Sequence, residues 1–412
     1  MTSERVFLSG ASLVLPHRIT SGHTLVMEGG RISDLAAEVR RPPATEVRFD
    51  LAGHFVLPGF IDVHVHGVAG HDALDGAAAL AMIAATLPRH GVTSFCPTSV
   101  ACPPDALAGL LGIIGDLRAA RRPMDARVLG AHLESNFINP EYRGAQPGEC
   151  LRLAQDPATR GGAGDTTFTA GDILAVIERQ QADIRLITLA PEIPGGLDLI
   201  HHFVSAGLRV SLGHSAATFD QGEAAIAAGA RHATHLFNRM PPMTHRAPGL
   251  AGAILASDAV AAEIICDGHH VHPAFIRMAI AAKGVSKILA ITDGTAGAGL
   301  PAGSRARLGG RTITVGDVAR LDDGTSAGSV ATMDSVFRYL VATCGVDICD
   351  AAQLCATTPA RELGLVGFGL IAPGAAADLV VLDARLNVVQ VWIGGVLAWC
   401  GTTPGPEPSP SS

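Results

Sequence analysis

The chain has 412 residues, 48% of them hydrophobic and 17% charged, which suits a folded globular protein of one large domain plus a smaller one and argues against disorder. A formal net charge of −8 argues against a nucleic-acid surface, which wants a basic stripe, while one local arginine can still hold a small anion. No apolar run approaches the roughly 20 residues of a membrane span. The amino terminus "MTSERVFLSG" lacks the basic region and cleavage site of a secretory signal. The eight cysteines are scattered and none forms a CxxC pair, so neither a disulfide framework nor a zinc ribbon is indicated. A reducing, cytoplasmic setting is expected.

The first 57 residues read as short strands, with a Gly-Gly turn in "TLVMEGGRISDLA" and a strand, turn and strand in "ATEVRFDLAGHFVLP". Next, "GFIDVHVHG" places His64 and His66 on one face of a strand, because alternate strand residues point the same way. From there apolar strands alternate with Ala-rich helices. The strands "GVTSFCPTSV", "RVLGAHLES", "IRLITLAPE", "LRVSLGHS", "ATHLFN", "AEIICDGHH" and "KILAITDGT" run into polar ends, and segments such as "GDILAVIERQQ" and "HPAFIRMAIAAKG" have helical periodicity. About eight βα units suit a (β/α)₈ TIM barrel, an α/β fold. A doubly wound sheet is the alternative, but no GxGxxG loop opens the first unit. Strand texture returns in "PGAAADLVVLDARLNVVQVWIGGVLAW". The expected organisation is therefore a small β-sandwich domain built from both chain ends, residues 1–57 plus 372–402, around a barrel over 58–371. Residues 403–412, Pro- and Ser-rich, are expected to be a disordered tail.

Polar residues gather at the carboxyl ends of these strands, where barrel enzymes build their sites: His64, His66, Glu134, His214, His235 and Asp293. Each alone is compatible with an ordinary hydrogen-bonding role. Four imidazoles and two carboxylates at one barrel mouth suit zinc or a related divalent metal.

The chain resembles the amidohydrolase superfamily and, within it, the N-acetylglucosamine-6-phosphate deacetylases. The resemblance covers nearly the whole chain and is carried by "LPGFIDVHVHG", "HLE", "TLAPE", "GHSAAT", "THLFNRMPP", "RAPGLAGA", "CDGHHVHP", "TDGTAGAG", "SAGSVATM" and "PGAAADLVVLD". It implies a principal metal site at Glu134, His214 and His235, and a second at His64 and His66 with Asp293 nearby. One or two divalent ions per subunit are implied, zinc foremost, with iron or another divalent metal as the alternative. The chain's only lysines are Lys283 and Lys287, so no carboxylated lysine bridges two metals early in the barrel and Glu134 is the bridging candidate. A metal can lower the pKa of water from about 15.7 toward 7. Asp293 would take the water's proton and then donate it to the leaving amine.

For the substrate, the resemblance implies that Asn238, the Arg239 backbone, Arg246 and His270 hold the sugar phosphate, with Ala145, Gln146, Ser326, Ala327 and Gly328 completing the site. Arginine is apt for phosphate because its guanidinium forks onto two oxygens. The Arg246 loop reaches across a dimer interface in the family, so a homodimer is implied. His269, His272, His201 and His202 are expected to be bystanders. Three departures from the family pattern bear on the substrate: Ser135 and Asn136 replace Gly-Pro after the glutamate, Gln146 replaces a histidine, and Ala247 replaces a glutamate beside Arg246. Alternatives are the galactosamine epimer, an unphosphorylated N-acyl substrate, cyclic-amide or nucleobase hydrolysis, and a non-catalytic scaffold that keeps only the barrel.

Overall fold

Alternation of apolar strands with capped helices builds an eight-stranded parallel barrel in the computed structural model, which describes residues 5–37, 47–154 and 168–401. The barrel strands are β1 (Phe60–Val65), β2 (Val92–Ser99), β3 (Ala131–Glu134), β4 (Ile184–Leu189), β5 (Arg209–Leu212), β6 (His232–Ala233), β7 (Ala261–Ile265) and β8 (Ile288–Ile291). Each pairs in parallel with the next. The seam between β8 and β1 is joined at its carboxyl end, where the His66 and Gly67 N–H groups both donate to the Gly294 carbonyl at 2.9 Å.

Local chemistry sets the helix boundaries. Ala170–Arg179 starts at a capping box in which Thr169 and Asp172 satisfy each other's backbone N–H, and it buries Ala170, Ile173, Val176 and Ile177 on one face. Phe219–Ala227 starts the same way with Thr218 and Gln221, and Pro273–Lys283 has proline at its first position behind His272. Gly91 turns the chain from the 3₁₀ turn Leu87–His90 into β2 with φ of 81°, and a Cβ there would stand 2.7 Å from the Phe60 ring. Phe60, Phe95, Ile177, Ile187, Phe203, Ile264 and Phe337 lie in the core between strands and helices.

Two further sheets come from the chain ends. One has the strand order Arg31–Ala37, His23–Glu28, Val6–Ser9, Val47–Asp50. The other interleaves both ends: Val396–Cys400, Val388–Ile393, Leu379–Leu382, Phe55–Pro58, Ser12–Leu15, Arg18–Thr20. Leu13, Leu25, Met27, Ile32, Val56, Leu379 and Trp392 form their common core. A three-stranded antiparallel sheet that the sequence reading did not anticipate (Arg305–Leu308, Arg311–Val315, Ala319–Leu321) follows β8. The tail read as disordered, 403–412, lies outside the described residues. Among the described residues no helix is long and apolar enough to cross a membrane, and all eight cysteines are free.

Candidate metal centre and substrate cavity

The six polar residues at the strand ends meet at the carboxyl mouth of the barrel. His64 lies on β1 and Glu134 ends β3, while His66, His214, His235 and Asp293 sit one or two residues past their strands. Three of them hold left-handed backbone conformations: φ is 47° at His214, 30° at His235 and 50° at Asp293. For a residue with a Cβ this costs on the order of 1–2 kcal/mol, so the surrounding contacts must impose it. For His214 they do: Asn139 N–H donates to its carbonyl at 3.0 Å, and Glu192 accepts from Ser215 Oγ (2.7 Å) and Ala216 N–H (2.6 Å) just beyond it. For Asp293, Ser329 N–H donates to its carbonyl at 2.8 Å and Ser329 Oγ donates to the Thr292 carbonyl at 2.5 Å.

Two groups of donor atoms result. Glu134 Oε1 lies 2.9 Å from His214 Nε2 and 3.0 Å from His235 Nε2, which are themselves 3.0 Å apart. Beside them His64 Nε2 and His66 Nε2 are 3.2 Å apart, with Asp293 Oδ1 at 3.3 and 3.2 Å and Glu134 Oε2 at 3.5 Å from His66. Hydrogen bonding on the far side of three of the rings decides what faces inward. His214 Nδ1 donates to the Tyr142 carbonyl (2.8 Å), His66 Nδ1 to the Thr98 carbonyl (3.2 Å) and His64 Nδ1 to Glu263 (2.9 Å). In the neutral ring each Nε2 then carries a lone pair aimed at a carboxylate oxygen and at another lone pair. Such an arrangement repels itself unless a cation lies between. Donors about 2.1 Å from a shared ion and tetrahedrally disposed stand roughly 3.4 Å apart. The side chains therefore fit a divalent cation, by spacing and by tautomer.

The electrostatics agree. Burial pushes the Glu134 carboxyl up, yet the His214, His235 and His64 imidazoles outweigh it and hold it well below the usual carboxylate range. Glu263 and Asp293 follow the same pattern, burial opposed and overcome by His64 and its neighbours. At His64 burial favours the neutral ring, but Asp293, Glu263 and Glu134 lift its pKa to about 10. The nest demands positive charge. His132, by contrast, is pushed down to about 3 by burial, between the Val63 carbonyl and Thr188 Oγ1. Asp62 is raised by burial to about 7 while accepting from Thr292 Oγ1 at 2.6 Å across the β1–β8 seam.

A cavity of about 490 Å³ opens over these ligands. Its wall includes His66, Glu134, His214, His235 and Asp293, together with Ala145, Gln146, Asn238, Arg239, His270, Ser326 and Gly328. His64 lies beneath the wall, fully buried. Ala327 is also fully buried, its N–H donating to the Ala319 carbonyl at 2.9 Å. Arg246 is exposed on the loop after β6 and is not on the wall. His269, read as a bystander, stands on the wall beside His270. His272 caps the helix Pro273–Lys283, and His202 pairs at the surface with Glu178 at 3.4 Å. Neither lysine approaches the site: Lys283 donates to the Ile254 and Ser257 carbonyls, and Lys287 to Glu362.

The three sequence departures have structural partners or settings. Ser135 Oγ donates to the Thr188 carbonyl at 2.5 Å, and Asn136 Nδ2 to the Cys102 and Cys150 carbonyls at 2.9 and 2.7 Å, so side chains tie down the segment after Glu134. Gln146 Oε1 accepts from Ala101 N–H at 2.7 Å, which aims its amide N–H at Glu134 Oε2. Ala247 lies exposed next to Arg246. Sequence reasoning missed Glu263, His132, Tyr142 and Glu141. Glu263 had a usable signal, an acid inside the apolar run "AAEII", since a carboxylate in a buried strand needs a partner.

A parallel barrel with imidazole–carboxylate clusters at the carboxyl ends of its strands defines a cation-dependent barrel enzyme. The amidohydrolase family model matches residues 55–398. The chain belongs to that family of amide-bond hydrolases and, within it, to the N-acetylglucosamine-6-phosphate deacetylase family. An N-acetylgalactosamine-6-phosphate deacetylase of Escherichia coli O157:H7 is 36% identical over 371 residues, covering 89% of this chain and 94% of its own. An N-acetylglucosamine-6-phosphate deacetylase of Mus musculus is 37% identical over 410 residues, covering 94% and 96%. Among solved structures, the N-acetylglucosamine-6-phosphate deacetylase of Pasteurella multocida gives a TM-score of 0.86 at 28% identity, covering 95% of this chain and 99% of its own. A variant of the Mycobacterium smegmatis enzyme in complex with N-acetyl-D-glucosamine-6-phosphate gives 0.84 at 33% identity, covering 97% and 100%.

Proposed function

We propose that the chain hydrolyses N-acetylglucosamine 6-phosphate to glucosamine 6-phosphate and acetate. The observation that carries this reading is the convergence of four imidazoles with Glu134 and Asp293 under the cavity, in a chain whose relatives bear that enzyme name. Glu134, His214 and His235 would hold one divalent cation, and His64, His66 and Asp293 a second, with Glu134 Oε2 turned toward it. Zinc suits these donors best. When bound, a divalent cation supplies Lewis acidity, polarising the acetyl carbonyl and making water acidic enough to attack near neutral pH.

The chain's own side chains do the rest. Asp293 removes the attacking water's proton and delivers it to the sugar nitrogen, without which the amine is a very poor leaving group. Gln146 steadies Glu134. Asn238, Arg239 and His270 receive the sugar phosphate, Ala145, Ser326, Ala327 and Gly328 shape the site, and Arg246 arrives from the partner in a homodimer. Support for that last assignment is its exposed position off the cavity wall. The two sheets built from residues 1–57 and 372–402 form a small domain apart from the barrel of 58–371. The unpaired cysteines suit a reducing, cytoplasmic compartment.

A second reading, the galactosamine epimer, is favoured by the likeness to the Escherichia coli enzyme. Metal-loaded protein should be assayed against both N-acetylhexosamine 6-phosphates and unphosphorylated N-acetylglucosamine. A clear preference for the phosphorylated glucosamine derivative is expected. Equal rates with and without phosphate would remove the phosphate site, and a preference for the epimer would transfer the assignment.

A further inference from the structure

Glu263 stands in the middle of β7, 0% exposed and beneath the cavity rather than on its wall. Its carboxylate accepts from His64 Nδ1 at 2.9 Å, from His232 Nε2 at 3.0 Å and from the His235 backbone N–H at 3.3 Å. It therefore touches one residue of each ligand group, but with unequal leverage. To His235 it offers one long backbone contact. To His64 it is the partner of the ring itself.

The contrast with the neighbouring rings is chemical. His66 and His214 lean on neutral carbonyls, those of Thr98 and Tyr142, whereas His64 leans on a carboxylate. A carboxylate behind an imidazole fixes the proton on Nδ1, keeps the Nε2 lone pair facing forward and makes it a stronger donor. The amide of glutamine has one accepting oxygen for two donating rings. If its NH₂ turns toward His64, the ring must move its proton to Nε2, the atom that faces His66 and Asp293, and that face is closed to a cation.

Resting on the two-cation reading above, we propose that Glu263 is the positioning residue that decides whether the cation held by His64, His66 and Asp293 is retained. The ion at Glu134, His214 and His235 does not depend on it, because Glu263 reaches none of their ring or carboxylate donor atoms.

The test is metal content, measured by emission spectroscopy on folded protein after zinc loading and dialysis. Wild type is expected to hold about two ions per chain and Glu263→Gln about one. Should Glu263→Gln fail to fold, Glu263→Asp, which keeps the charge but draws it back, is expected to bind the second ion about 10–100-fold more weakly. His232→Asn removes Glu263's other ring donor yet leaves the carboxylate on His64, so it should keep both ions. Retention of two ions by Glu263→Gln, or unchanged affinity in Glu263→Asp, overturns the proposal. So does loss of an ion from His232→Asn, which would mean that any disturbance of the buried network suffices, or a wild type that holds one ion. Activity of the wild type is a separate arm. Two ions falling to one on Glu263→Gln, in a chain whose wild type ignores N-acetylglucosamine 6-phosphate, would sink the substrate assignment and leave this one standing.

Discussion

Asp267 makes three short contacts around one turn: its Oδ1 accepts from the His269 and His270 N–H groups at 2.9 Å each, and its Oδ2 meets His270 Nδ1 at 2.6 Å. Burial favours the neutral His270 ring, but the Asp267 bond and charge raise its pKa above the ordinary value. Asp267 itself is held low, its burial outweighed by His270. A cationic ring on the cavity wall suits a phosphate. Asp267→Asn should therefore raise KM for the phosphorylated sugar by about tenfold near pH 7, the worth of one charge-assisted hydrogen bond. kcat should be little changed. Because the freed ring protonates only at lower pH, the KM defect should shrink as the assay is taken from pH 7.5 toward 6. A defect equal for phosphorylated and unphosphorylated sugars would contradict this. Residues of this kind were only partly legible in the sequence. His64 and His66 stand out because a period of two needs no tertiary knowledge. Asp267 lies within "CDGHHVHP", yet its role depends on a turn that spacing does not specify. Glu263 and His132 lie behind the ligands, and which partners these buried polar groups meet depends on neighbouring strands that spacing does not identify.

Among the elements, the barrel was legible because polar strand ends repeat at each βα unit, and the seam at Gly294 closes the order they imply. The terminal sheets were legible from Gly-Gly turns: Gly29–Gly30 and Gly394–Gly395 all have positive φ, as tight hairpins require. The sheet after β8 carries the same signals but was passed over: its strands alternate exposed Arg305, Arg307 and Arg320 with buried Ala306, Leu308 and Ala319 about a Gly309–Gly310 turn, a period of two without the long apolar run that marks the barrel strands. It nevertheless brings Leu308 to the cavity wall. β6 is two residues long, too short for any period to show. One element junction carries a pH-dependent contribution to stability. Asp334, in the first turn of the helix Met333–Ala342, lies 3.1 Å from His90 Nδ1 and 3.0 Å from Arg338. Burial pushes its carboxyl up, but the bonds to His90 and Thr332 and the nearby charges bring it down to about 2. A carboxyl with a depressed folded pKa stabilises fully above its unfolded pKa and ceases to do so as pH falls through the folded one. Asp334→Asn should cost about 2 kcal/mol at pH 7 by urea unfolding. The gap from wild type should close between about pH 4 and pH 2. A gap that persists at pH 2 would assign the cost to packing instead.

At the scale of the whole molecule, one ion pair joins the barrel to the sheet made from both chain ends. Arg127 grips Asp378 with two bonds of 2.7 and 2.9 Å, while Asp378 also accepts from Gly394 N–H at 2.6 Å and its carbonyl accepts from Gly59 N–H at 2.9 Å. Arg127→Met strands a carboxylate that is 5% exposed, which should cost about 3 kcal/mol and lower the urea midpoint. Unchanged stability would show the two parts held together by packing alone. The dimer proposed above bears on the phosphate. Arg246 stands exposed and off the wall of its own chain's cavity; in a symmetric dimer each loop could serve the other's site. Arg246→Ala should raise KM for the phosphorylated sugar, and Asp293→Asn should lower kcat by about 10²–10⁴. Mixing the two variants separates the geometries. In a hybrid dimer the Arg246→Ala chain keeps its own Asp293 and borrows Arg246 from the partner, so one site in that dimer is whole. Random exchange of equal amounts makes about half the dimers hybrids, hence about a quarter of all sites whole. Activity at low substrate should then climb to about a quarter of wild type as subunits exchange. If Arg246 acts within its own chain, no hybrid site is whole, and the mixture will stay at the average of the two variants however long exchange proceeds.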